Sequence, residues 1–159
     1  MPEGCHTCEL VARRDRDEAP LWDRILRTPH FDVVHAYNTS LAGWIVVVLR
    51  RHLASVAGLS DAEAAELGPL LRDFSAALEE VTGCEKTYVM QFAEASGHHH
   101  VHWHVVPRSP EMPQEHRGAG VFHYLGVGQD SRVGEEAMNN VATDLRQWLA
   151  ERDRRRGDE

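Results

Sequence analysis

Hydrophobic and polar positions change period several times along the chain, and each period predicts an element. Residues 31–37 and 43–50 are rich in Val, Ile and aromatic side chains and flank a polar turn at 38–40, which predicts two paired strands. Ser60, Asp61, Ala62 and Glu63 form a capping box. It opens a long helix on which Leu67, Leu70, Leu71, Phe74, Leu78 and Val81 recur at helical spacing, with Pro69 as a candidate kink and Gly83 as the stop. Residues 87–93 predict a third strand, 94–97 a turn, and 99–107 a fourth strand. Residues 108–120, broken by Pro and Gly, read as a loop, and 135–151 as a last helix with Val141, Leu145, Trp148 and Leu149 on its apolar side. Toward the N-terminus, 13–18 read as a charged loop and 20–27 as a short helix. The charged residues 152–159 read as a disordered tail. No repeat or linker divides the chain, so a single domain is expected over 1–151. Adjacent strands with one long helix inserted and one following predict an α+β domain on an antiparallel sheet.

Composition narrows the partners. Lys plus Arg (17) are outnumbered by Asp plus Glu (25), for a formal net charge of -8. That balance argues against long nucleic acid, which needs a basic face. A small anionic ligand would need a local positive or hydrogen-bonding site. The longest apolar stretch, 44–49, is too short to span a bilayer, and the first ten residues lack the basic start and apolar run of a secretory signal. A cytoplasmic protein with reduced thiols and no membrane partner is therefore expected.

The chemistry concentrates in the histidines, eleven in all. Five fall within 98–104. If that segment is a strand, His98, His100, His102 and His104 share one face, about 6.5–7 Å apart, while Val101, Trp103 and Val105 pack inward. Such a face can be read as a solvated polar surface, as a catalytic metal site with water in an open position, or as a nucleophilic imidazole with neighbours that orient it and handle protons. Cys5 and Cys8 have metal-ligand spacing, and the thioredoxin-like context of a redox pair is not visible around them. The third cysteine, Cys84, reads as a buried small hydrophobe.

The run His100-Val101-His102-Trp103-His104-Val105-Val106 resembles the His-φ-His-φ-His-φ-φ signature (φ apolar) of the histidine-triad superfamily. Pro107 and Arg108 after it, and residues 43–52 ending in Arg51 and His52, are similar to the same family. The resemblance covers about residues 5–108. It implies an antiparallel sheet of about five strands with one long helix inserted and a C-terminal helix. It implies a nucleotide hydrolase or transferase in which His102 attacks the α-phosphorus, forming a nucleotidyl-histidine that water resolves to a nucleoside monophosphate. His104 would contact the phosphate or leaving-group oxygen, and the surroundings of His100 would orient His102. Ser96, Gln91 and His98 fall where phosphate contacts are expected, and Arg50, Arg51 and Arg108 are candidate positive charges. The acidic residue that often holds the ribose is replaced by Ala36, with Asn38 as a substitute; Trp22, Phe31 and Val33 read as core or base-stacking residues. Zinc-containing members imply a structural zinc on Cys5, Cys8, His52 and His100, with His6 as a spare ligand. The substrates implied are dinucleoside polyphosphates or nucleoside phosphoramidates, and the assembly implied is a homodimer. A nucleotide-binding regulatory module and a metal-dependent hydrolase using the histidine face are the alternatives.

Overall fold

The structure, a computed structural model, describes residues 4–158; residues 1–3 and 159, at the ends of the expected domain and tail, lie outside the described residues. Five strands form one antiparallel sheet: β1 (Leu26–Arg27), β2 (Phe31–His35), β3 (Ile45–Leu49), β4 (Lys86–Met90) and β5 (His102–Arg108), in the order β1-β2-β3-β5-β4. Helix α1 is His6–Asp15, α2 is Asp61–Thr82 and α3 is Glu135–Gly157. Period-two alternation sends Phe31, Val33, Val47, Leu49, Trp103 and Val105 to one face, where they pack with Phe74 and Leu78 of α2 and Leu145 of α3 in the main core. The opposite face carries Val34, Val46 and Val48, and on β5 His102 and His104; Val11 of α1 covers part of it. The register sets Val48 opposite His102 and Val46 opposite His104.

The expected capping box is present: Ser60 Oγ accepts from Glu63 N and Glu63 reaches back to Ser60 N. The helix runs through Pro69 and ends at Gly83, whose φ of 68° is the left-handed cap that glycine tolerates.

Four expectations need correcting. Residues 6–15 are helix, so the first part of the expected charged loop at 13–18 is helical; Thr7, Val11 and Arg14 form its buried stripe. Arg14 can be buried because Asp23 takes its guanidinium at 2.7 Å and Asp32 lies at 3.6 Å. Residues 20–27 form only a 3-10 turn at Leu21–Asp23 and then β1. The loop after β5 contains 3-10 turns at Gln114–His116, Gly118–Tyr124 and Gln129–Ser131. Finally, α3 continues past Glu151 to Gly157, and Arg152 pairs with Asp73 of α2, so the expected tail is largely helical.

Candidate functional site

Strand β5 begins only at His102, three residues later than the pattern predicts. Before it the chain turns tightly, with His100 N donating to His98 O at 2.7 Å. The four alternate histidines therefore do not share one surface. His98, His102 and His104 line a cleft of about 460 Å³ on the sheet face opposite the core, whereas His100 is fully buried beside the cysteine pair.

Each triad ring is held by a partner that fixes its tautomer. His102 Nδ1 is 2.7 Å from His100 O. A carbonyl only accepts, so Nδ1 carries the proton and Nε2 keeps its lone pair. Burial pushes the His102 pKa below the ordinary histidine value, against the opposing effect of that hydrogen bond, so the ring is neutral at pH 7. His104 Nδ1 accepts from Trp44 Nε1 at 3.0 Å, and burial followed by the neighbouring His102 pushes its pKa down to about 3. His100 Nε2 donates to Leu49 O at 2.6 Å, leaving its Nδ1 lone pair facing the thiols.

That lone pair belongs to a second constellation. Ligand atoms of Cys5, Cys8, His52 and His100 all lie within 4.8 Å of one another. His100 Nδ1 is 3.7 Å from Cys5 Sγ and 3.4 Å from Cys8 Sγ, and His52 Nδ1 is 3.4 Å from Cys8 Sγ. A tetrahedral ion with zinc–nitrogen and zinc–sulfur bonds of ordinary length places its ligands about 3.6 Å apart, so the set fits zinc. Without a cation the arrangement is costly: burial, then the hydrogen bond and charge of Cys5, push the Cys8 thiol up to about 11. The four ligands are protein atoms throughout, which is the closed form of a structural site. Cys5 caps α1 and Cys8 sits in its first turn, so the pair does stand at a helix start. The two imidazoles facing it, and a sheet whose strand pairs are all antiparallel among the described residues, distinguish it from a redox pair. His6 points elsewhere, to Glu9.

Of the other expected contacts, Asn38 lines the cleft, and no side-chain hydrogen bond occupies it among the described residues. Ala36 is on the same wall. His98 is held by Thr7 Oγ1 at 2.9 Å and stands with its ring centroid 6.4 Å from that of His102. Ser96 and Gln91 do not line the cleft. Arg108 is at the far end of β5, paired with Glu85 at 2.5 Å. Arg50 donates to Thr28 O and Pro29 O, and Arg51 pairs with Glu63. The one Lys or Arg on the cleft wall among the described residues is Arg14, already paired with Asp23. Phe31 and Val33 are core, and Trp22 does not line the cleft.

Several wall residues escape the sequence pattern. Thr7 and Leu10 come from the unexpected α1, Phe92 from the segment after β4, and Phe122 from a 3-10 turn. Phe122 packs edge to face on His104 and on Trp44. Ala93, buried with φ of 59°, holds the segment after β4 against the cleft in a conformation an L-residue adopts only under constraint. The left-handed turn there has no glycine to announce it.

Sheet order, inserted helix and triad strand together define the histidine-triad fold. Solved structures agree with it across nearly the whole chain. A Zn-bound histidine triad family protein from Mycobacterium smegmatis is similar at 17% identity and a TM-score of 0.66, over 94% of this chain and 95% of its own. A Hit-like protein involved in cell-cycle regulation from Bartonella henselae, solved with an unknown ligand, is similar at 16% identity and a TM-score of 0.65, over 86% and 93%. A hypothetical histidine triad nucleotide-binding protein from Sulfolobus tokodaii is similar at 12% identity and a TM-score of 0.67, over 91% and 93%. No family model matches the chain, and no curated protein matches it. No helix among the described residues is long and apolar enough to cross a membrane.

Proposed function

We propose that the cleft binds a nucleotide and that His102 attacks its α-phosphorus, transferring the nucleoside monophosphate to itself and then to water. The observation that carries this reading is the hydrogen bond from His102 Nδ1 to His100 O. It leaves Nε2 unprotonated in the cleft, on a ring that is neutral at pH 7. A neutral, oriented imidazole is a nucleophile that divides one difficult displacement into two easier ones. His104 is a hydrogen-bond donor to the phosphoryl oxygens. Asn38 is a candidate for the ribose hydroxyls in the absence of an acid at Ala36, and the apolar wall from Leu10, Val34 and Val48 suits a base.

Zinc on Cys5, Cys8, His52 and His100 would tie α1 to the residue that orients His102. When bound it supplies a rigid cross-link and no chemistry at phosphorus. Among the described residues His102 and His104 belong to no ligand group of three, which favours nucleophilic over metal-hydroxide chemistry. A homodimer is proposed as the working assembly, and a regulatory nucleotide-binding role with little turnover is the competing reading.

The test is release of AMP from a diadenosine polyphosphate and from an adenosine phosphoramidate by the wild type and by His102→Ala. The reading expects release by the wild type and near-complete loss in a folded variant. Equal release by both proteins would remove His102 from the mechanism.

A further inference from the structure

The proton inventory of the cleft depends on a residue outside the histidine pattern. Trp44 closes the turn before β3 and is fully buried. Its Nε1 meets His104 Nδ1 at 3.0 Å, with the rings edge to face at 84°. An indole N–H can only donate. The lone pair of His104 must therefore lie on Nδ1 and its single proton on Nε2. Protonating His104 would set an imidazolium N–H against the indole N–H. Around the ring, His102 and Phe122 are edge to face at centroid distances of 4.9 and 5.6 Å. Among the described residues, His102 is the titratable group packed on the ring. Across the cleft, the other titratable groups among the described residues are His98, Glu94, Tyr37, the buried His35 and the Arg14–Asp23 pair.

We propose that Trp44 is a positioning residue that fixes His104 as a neutral Nε2–H donor, and that the site therefore cleaves phosphoric anhydrides in preference to phosphoramidates. This rests on the nucleotidyl-transfer reading above. With an anhydride, the Nε2 lone pair of His102 forms the N–P bond as the bridging P–O bond breaks. The electron pair leaves on a phosphate oxygen, an anion stable at neutral pH, so no proton is needed; a donated hydrogen bond from His104 is enough. Water then forms the new O–P bond, the N–P bond returns its pair to His102, and the surplus proton of the water goes to solvent. With a phosphoramidate, the breaking P–N bond places its pair on an amine nitrogen, which must gain a proton as it departs. General-acid help of that kind is worth about 10²–10⁴-fold. His104 is unable to supply it, because giving up the Nε2 proton would require Nδ1 to take one from the side that the indole N–H occupies. His98 is held at both nitrogens, by Thr7 Oγ1 at 2.9 Å and Tyr37 Oη at 3.5 Å.

The experiment measures kcat/KM of the zinc-loaded full chain on diadenosine tetraphosphate and on adenosine 5′-phosphoramidate, with Trp44→Phe, His104→Gln, His104→Ala and His102→Ala. The wild type is expected to favour the anhydride by about 100-fold or more, following the size of the missing acid contribution. Trp44→Phe should lose about 10- to 100-fold in kcat on the anhydride with KM little changed, because it frees one pre-oriented donor. The ratio between substrates should narrow in that variant. His104→Gln, which donates without titrating, should retain more anhydride activity than His104→Ala. If Trp44→Phe fails to fold, the wild-type ratio and the glutamine rescue still decide. His102-dependent cleavage of both substrates at similar kcat/KM would overturn the proposal. So would a substrate ratio unchanged in a folded Trp44→Phe, or equal losses in the two His104 variants. If neither substrate is cleaved through His102, the nucleotidyl-transfer reading itself fails and takes this one with it.

Discussion

His35 provides a quantitative test of how the sheet end beside the cleft is held. Its ring is 1% exposed, at the end of β2. Nδ1 lies 2.8 Å from Ala36 O, and Nε2 accepts from Gly43 N at 2.9 Å. Both nitrogens are therefore satisfied only when the ring is neutral and protonated on Nδ1. A proton on Nε2 would face the Gly43 N–H in a buried site. Burial pushes the His35 pKa down to about 4, with the Ala36 carbonyl opposing it, from 6.5 in an unfolded chain. Because the folded value is the lower one, the unfolded state binds more protons between pH 6.5 and 4. The stability contribution is then fully present above pH 6.5 and is lost as pH falls toward 4. A fall from 6.5 to about 4 corresponds to about 3 kcal/mol. The assay is urea unfolding of wild type and His35→Gln at pH 7.5, 6.0, 5.0 and 4.0. Other depressed histidines contribute with the same sign to both proteins, so the informative quantity is the difference between the two curves. At pH 7.5 the variant should be less stable by about 1–3 kcal/mol, for lost packing and an imperfectly paired Gly43 N–H. That deficit should shrink by about 3 kcal/mol by pH 4, which cancels or reverses it there. A deficit that stays constant with pH would mean that His35 titrates alike in both states and would refute the argument.

Two further perturbations separate the metal clamp from the core. Stripping zinc with a chelator, or Cys8→Ser, should lower stability by about 3–4 kcal/mol if free zinc stands 100- to 1,000-fold above its Kd. For a domain of this size that is a fall in Tm of about 6–16 °C, read by thermal scanning and reversed by zinc only in the wild type; an unchanged Tm with no bound metal would contradict the site. Phe74→Ala, at a fully buried position on α2, should cost about 3–5 kcal/mol in urea unfolding without altering zinc stoichiometry. A cost below 1 kcal/mol would show that α2 does not pack on the sheet as described.

What the sequence discloses here is local periodicity, and what it conceals is pairing across distance. The capping box at Ser60 and the alternation of Val101, Trp103 and Val105 are legible because each involves neighbours within a few residues. Helix α1 is concealed because its buried stripe ends in Arg14, whose neutralising partners Asp23 and Asp32 come from other elements. The last turns of α3 are concealed for a similar reason: Arg152 finds Asp73 on α2. His100 illustrates the limit of strand alternation. Its position in the triad predicts a shared face, yet the turn at His98 and the thiols of Cys5 and Cys8 draw it to the metal set. Trp44 is legible as an apolar residue, but its bond to His104 depends on the pairing of β3 with β5, which no spacing within either segment reveals.

The central claim is that His102 becomes covalently nucleotidylated. The most direct measurement is to quench the zinc-loaded wild type within milliseconds of mixing with diadenosine tetraphosphate, in alkali to preserve a phosphorus–nitrogen bond, and to read the mass of the peptide bearing His102. An adenylyl group on His102, formed and lost at rates that match AMP release and absent from His102→Ala, is the result predicted. Wild-type turnover with no adduct at any time, or an adduct on another residue, would contradict the account.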